Sequence, residues 1–174
     1  MMGKGEIREA LADPRSGLAI TPIVDAEMQI DEGSVDLRLG PDLIVTRRTT
    51  GVGLFDPAQV DEIAARIEDY QEYVRRPLTS AFYLHPGEFA IARTLEYVTL
   101  PANVGAQVMG RSSLGRLGLI IATATMVQPR FAGTITLELS NLGAVPIVLH
   151  VGARIAQIVL FETGAPLHDE AEAE

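Results

Sequence analysis

From Ala81 onward the chain is a succession of short runs rich in Val, Ile, Leu and Thr, broken by His85-Pro86-Gly87, Leu100-Pro101 and Val151-Gly152. Short strands separated at regular spacing by turn residues argue for an all-β sandwich or barrel. Residues 134–140 carry the clearest pattern. Ile135, Leu137 and Leu139 share one face of a strand because the side-chain period is two, so Thr136, Glu138 and Ser140 share the other. Further upstream, residues 34–39 (Ser-Val-Asp-Leu-Arg-Leu) alternate in the same way and predict a half-buried strand, closed by Gly40-Pro41.

Two helices complete the pattern. Residues 6–12 predict a short one, ended by Asp13-Pro14. A second begins at Asp56 as cap, with Pro57 at the first helical position and Gln59 reaching back. Ile63, Ile67, Tyr70 and Val74 give it one apolar stripe down to about Arg75. The expectation is one mainly β domain over residues 1–163 with short peripheral helices. Residues 164–174, which are rich in acidic side chains, read as a flexible, solvated tail.

Charge narrows the function. Proteins that track DNA or RNA draw most of their affinity from basic surface. A net charge of −9 over 174 residues therefore argues against a nucleic acid polymer as partner. A small anion remains open, because a local arginine cluster overrides the global sign. There is no cysteine, hence no disulfide framework and no thiolate metal site. No apolar run approaches a membrane span and the first residues lack a signal-peptide layout, so the default reading is cytoplasmic, with no membrane partner.

The arginine cluster lies at Gly110-Arg111-Ser112-Ser113-Leu114-Gly115-Arg116. Ser112 and Ser113 are suited to cap a helical turn whose free N–H groups attract an anion. Arg116 follows Ser112 by four residues and points the same way on such a turn. Arginine binds phosphate through a planar fork, so the segment fits a polyphosphate; the plainer alternative is a capped surface turn with solvated arginines. Glu138 likewise has two readings, solvated or lining a site. His85, His150 and His168 are scattered, and a zinc deaminase needs cysteines that this chain lacks. Hydrolytic chemistry here would use a carboxylate, not zinc, to activate water.

Together these segments resemble the dCTP deaminase family of the dUTPase-like superfamily. The resemblance rests on Ile7-Arg8-Glu9-Ala10-Leu11, Ser34-Val35-Asp36-Leu37-Arg38-Leu39-Gly40, Leu84-His85-Pro86-Gly87-Glu88-Phe89 and Thr94-Leu95-Glu96. It continues through residues 110–119, Phe131-x-Gly133-x-Ile135-Thr136-Leu137-Glu138-Leu139-Ser140-Asn141 and Pro146-Ile147. It implies a homotrimeric, distorted β-barrel or jelly roll with sites between subunits. By resemblance, Arg111, Ser112 and Ser113 would hold the triphosphate of a deoxynucleotide, with Mg²⁺ carried by the nucleotide. Thr123, Ala124, Gln128, Phe131 and Gln157 would complete the nucleotide site. Glu138 would deprotonate the water that attacks C4 of cytosine, with Arg116 placing and polarising that centre, to give dUTP and ammonia.

The chain also departs from the family pattern. Gln128 stands where the family carries the aspartate that contacts the sugar 3′-hydroxyl. Arg130 replaces a turn glycine, which implies a different backbone there. The segment between Leu119 and Thr123 is one residue short and lacks the usual histidine, and the Tyr- and Lys-containing C-terminal lid is replaced by Gly164-Ala165-Pro166 and acidic residues. These departures leave two other readings: a catalytically degenerate nucleotide-binding trimer, and a dUTPase-type pyrophosphatase.

Overall fold

A computed structural model describes residues 1–46, 58, 67, 70–122 and 125–164. The expected β architecture is present. A curled antiparallel sheet runs in the order β7-β9-β5-β2-β11-β6-β8, with β1 added beside β5 and β3 beside β2. Its strands are β1 (Ala19–Thr21), β2 (Val35–Thr46), β3 (Gln71–Arg75), β5 (Phe89–Thr99), β6 (Val104–Gly110), β7 (Leu119–Ile121), β8 (Met126–Val127), β9 (Ala132–Asn141) and β11 (Arg154–Glu162). A separate pair joins β4 (Ala81–Leu84) to β10 (Ile147–His150). Among the described residues no helix is long and apolar enough to cross a membrane.

The core follows the strand alternation. Ala90, Ala92 and Val98 of β5, Ile135, Leu137 and Leu139 of β9, and Ile158 and Leu160 of β11 all point into one buried cluster. Helix α1 (Lys4–Ala12) closes one end of it with the fully buried Ile7. The Glu6 carboxylate accepts the Gly3 N–H at 2.7 Å at the helix start, and α1 stops before Asp13-Pro14 as the sequence predicts.

Two sequence expectations are corrected. The strand at residues 34–39 neither ends at Gly40-Pro41 nor has a wet face. β2 continues to Thr46, and Asp36 is buried along with Val35, Leu37 and Leu39. The reason is topological: β2 sits in the middle of the sheet, between β5 and β11. At Gly40 the register with β5 slips, and a Cβ there would lie 2.6 Å from the Arg93 carbonyl oxygen. Glycine makes the close crossing possible, and Pro41, which has no N–H to donate, falls at the interrupted stretch of ladder.

The second correction concerns the predicted second helix. Its start at Asp56, Pro57 and Gln59 lies outside the described residues. Its end does not reach Arg75, because Gln71–Arg75 is strand β3, paired with residues 42–46 of β2. Pairing along a sheet edge gives Val74 and its neighbours hydrogen-bond partners that propensity alone does not reveal. The tail from residue 165 onward also lies outside the described residues.

Candidate functional site

Glu138 sits in β9 between the buried Leu137 and Leu139, so its side chain leaves the sheet on the opposite face. The backbone around it is held on both sides. Glu138 pairs with Ile91 of β5, and its carbonyl oxygen accepts the Ala122 N–H at 2.8 Å. The outer face does not simply meet solvent: Glu138, Thr136 and Thr134 form one wall of a cavity of about 330 Å³. Met126, Val127, Gln128 and Phe131 also line it. This is small but within the usual range of ligand sites.

These four residues come from the hairpin that opens with β8. β8 pairs with β6 through Ala106↔Val127 and Gln107↔Met126, and the Phe131 carbonyl accepts the Leu100 N–H at 2.9 Å. The turn between them keeps its tight form. Arg130 has φ +66°, the left-handed conformation that a glycine would supply. Arg130 adopts it at a cost of about 1–2 kcal/mol relative to glycine.

The arginine-serine segment forms a second constellation. β6 ends at Gly110, and α3 (Ser112–Gly115) is a single turn. Neither serine caps it. Arg111, still extended at φ −74° and ψ 130°, occupies the cap position, and its carbonyl oxygen accepts the Leu114 and Gly115 N–H groups at 3.0 Å each. The strand geometry persists one residue further than the sequence suggested, so Ser112 and Ser113 become the first helical residues, both exposed. Arg116, exposed, donates its backbone N–H to the Ser112 carbonyl at 3.1 Å. Gly118, at φ +96°, then lets the chain turn against Gly143, where a Cβ would stand 2.4 Å from the Gly143 nitrogen.

Within one chain these groups do not converge. Glu138, Gln128 and Phe131 share the cavity. Arg111, Ser112, Ser113 and Arg116 are not among its described walls. Gln157 belongs to the arginine side: in β11 it lies opposite Asp36 on one neighbour and Met109 on the other. Thr123 and Ala124 lie outside the described residues. One chain thus presents a carboxylate pocket and a separate cationic edge.

A buried polar network links that edge to the interior, and sequence reading missed it. The Arg111 Nη1 lies 3.5 Å from Asp36 Oδ2, and Arg154 Nη1 approaches the same oxygen at 3.1 Å. Burial pushes the Asp36 carboxyl above its ordinary range, against the opposing pull of Arg111 and Arg154. Deeper in, Glu96 is 0% exposed and accepts the Arg38 backbone N–H at 2.8 Å and Arg38 Nε at 2.6 Å. Gln29 Nε2 approaches Glu96 at 3.3 Å and the Asp36 carbonyl at 3.4 Å. The signal was present as charged residues inside apolar strand patterns, but their partners lie 58 and 118 residues away.

A larger cavity, about 650 Å³, lies between α1, β1 and α2 (Ala26–Gln29). Its walls are mainly apolar, and its Arg8 and Glu27 side chains pair with each other at 2.7 Å. It lacks the convergent polar groups that chemistry requires, so the smaller cavity is the better candidate.

The family model described as dCTP deaminase-like matches residues 1–163. The chain belongs to the dCTP deaminase-like family. Among its relatives is the dCTP deaminase of Halorubrum lacusprofundi, 40% identical over 95% of this chain and 79% of that protein. Another is a dCTP deaminase, dUMP-forming, of Methanobrevibacter smithii, 44% identical over 90% of this chain and 77% of that protein. The crystal structure of 2′-deoxycytidine 5′-triphosphate deaminase from Agrobacterium tumefaciens superposes with a TM-score of 0.67 at 25% identity. That match covers 91% of this chain and 47% of the solved one, so this member of the dCTP deaminase-like family spans about half its length.

Proposed function

We propose that the protein hydrolytically deaminates dCTP to dUTP and ammonia. The observation that carries this reading is the cavity lined by Glu138 together with Gln128 and Phe131. Glu138 takes a proton from water as the hydroxide oxygen bonds to C4 of cytosine. The carboxyl delivers that proton to N3, which has gained the electron pair of the C4–N3 double bond. It then takes the proton of the C4 hydroxyl and passes it to the amino nitrogen, so the exocyclic C4–N bond breaks, ammonia leaves and a C4 carbonyl remains. General acid–base work of this kind contributes about 10²–10⁴-fold in rate. Arg116 supports the centre as it polarises, and Arg111, Ser112 and Ser113 take the triphosphate.

Mg²⁺ would enter on that triphosphate and neutralise part of its charge. Among the described residues no group of three or more His, Cys, Asp or Glu side chains could hold a metal ion. The test is ammonia release from dCTP with Mg²⁺ present; a purified protein that binds dCTP and releases none would leave the non-catalytic reading standing. The alternative product is dUMP, which the name of the relative described as dUMP-forming supports. Pyrophosphate appearing in step with ammonia would assign dUMP, and ammonia alone assigns dUTP.

The separation of the carboxylate pocket from the arginine edge supports a homotrimer whose sites are completed between subunits. Sedimentation should give a trimer mass at micromolar concentration. A stable, fully active monomer would overturn this assembly.

Gln128 should weaken sugar discrimination. A charged carboxylate accepting from a hydroxyl contributes roughly 1.5–3 kcal/mol, against about 1 kcal/mol for a neutral amide. Gln128→Asp is therefore expected to bind dCTP several-fold more tightly and to widen the preference for dCTP over CTP. Unchanged affinities for both nucleotides would mean that another residue makes the sugar contact.

A further inference from the structure

We propose that Asp36, together with Arg154, is a positioning residue for the proposed deamination: it holds the Arg111 guanidinium ready for the triphosphate before any nucleotide arrives. This rests on the reading above, in which Arg111 meets the phosphates.

The geometry has three parts. Asp36 is buried in the central strand β2, so its carboxylate is fixed by the sheet. One of its oxygens faces two guanidinium groups, Arg154 at 3.1 Å and Arg111 at 3.5 Å. Arg154 is itself tied down, because its Nη1 also donates to the Met28 carbonyl. Arg111 is thus oriented by a rigid anchor, while its side chain stays 32% exposed. A guanidinium carries five N–H donors, and the contact through Nη1 leaves others available to an incoming phosphate.

The opposite effect, in which Asp36 competes with the phosphates for Arg111, is weaker on charge count. Two guanidinium groups share the Asp36 carboxylate, so these three groups keep one net positive charge. The Asp31 carboxylate near Asp36 reduces it without reversing the balance of Arg111 and Arg154 over Asp36. The longer distance is also on Arg111, so the shorter, hydrogen-bonded contact that compensates Asp36 belongs to Arg154. Preorganising a flexible arginine removes an ordering cost that would otherwise be subtracted from binding.

The experiment compares wild type, Asp36→Asn and Arg154→Gln as full-length protein. Calorimetric titrations use inorganic tripolyphosphate with Mg²⁺ and, separately, 2′-deoxycytidine; ammonia release from dCTP gives KM and kcat. Asp36→Asn should weaken tripolyphosphate binding and raise KM by about tenfold, a typical effect of one charged contact, with kcat within about threefold and deoxycytidine binding unchanged. Arg154→Gln should move the same quantities in the same direction by less. Tripolyphosphate bound equally or more tightly by Asp36→Asn overturns the proposal, as does a parallel loss of deoxycytidine binding, which would mark a general structural role. If Asp36→Asn does not fold, Arg154→Gln decides alone, and unchanged tripolyphosphate affinity in it refutes the brace. A wild type that releases no ammonia defeats the deaminase reading, while the tripolyphosphate titrations still decide the role of Asp36.

Discussion

Glu138→Gln should reduce kcat for ammonia release from dCTP by about 10²–10⁴-fold while changing dCTP affinity by only a few-fold. Glutamine keeps the length and planarity of the side chain but cannot accept the proton from water. The fold around it should tolerate the change, because Glu138 is half-buried on the outer face of β9 and the strand is held by β5 and β7 through its backbone. Steady-state kinetics beside calorimetric binding of dCTP separates the two effects. A variant that keeps most of its activity would exclude Glu138 as the base. Loss of binding in proportion to the loss of rate would make it a substrate contact instead.

Glu96→Ala is expected to have the largest effect on stability. Glu96 is fully buried and receives Arg38 twice, through the backbone N–H and Nε, with Gln29 as a third donor. Removing one partner of a buried ion pair strands the other, at a cost of about 3–5 kcal/mol. For a domain of this size that lowers the melting temperature by about 6–20 °C. Among the described residues, the Arg38 side chain keeps its contact with the Pro22 carbonyl at 2.8 Å to offset the loss. Glu96→Gln, which keeps an acceptor but no charge, should fall between the two. A melting temperature for Glu96→Ala within a degree or two of wild type would show that water or rearrangement satisfies Arg38.

The network around Glu96 also marks the boundary of what the chain reveals as a string of residues. The alternation at residues 134–140 placed Glu138 opposite the core correctly, because period two is a property of the strand itself. The same rule misread residues 34–39. Alternation says that two faces differ, but whether the polar face is wet depends on what covers it, and β2 lies mid-sheet between β5 and β11. The predicted helix is present at Ile67 and Tyr70, but its stripe stops short of Val74: residues 42–46 of β2 lie past the stretch paired with β11, and pairing there outweighs local periodicity over Gln71–Arg75. The serine caps failed by one residue, because β6 geometry continues into Arg111.

Sequence alone determined the mainly β class, the family resemblance, the candidate base, and the cluster of arginines and serines. All of these depend on residue identity and on spacing within a few positions along the chain. Only the tertiary structure decided that Gln128 and Phe131 share one cavity with Glu138, that the arginine edge is not among that cavity's described walls within a single chain, and that Asp36 stands between Arg111 and Arg154. These relations join residues up to 118 positions apart, and sheet order and register bring them together. Periodicity carries no information at that range.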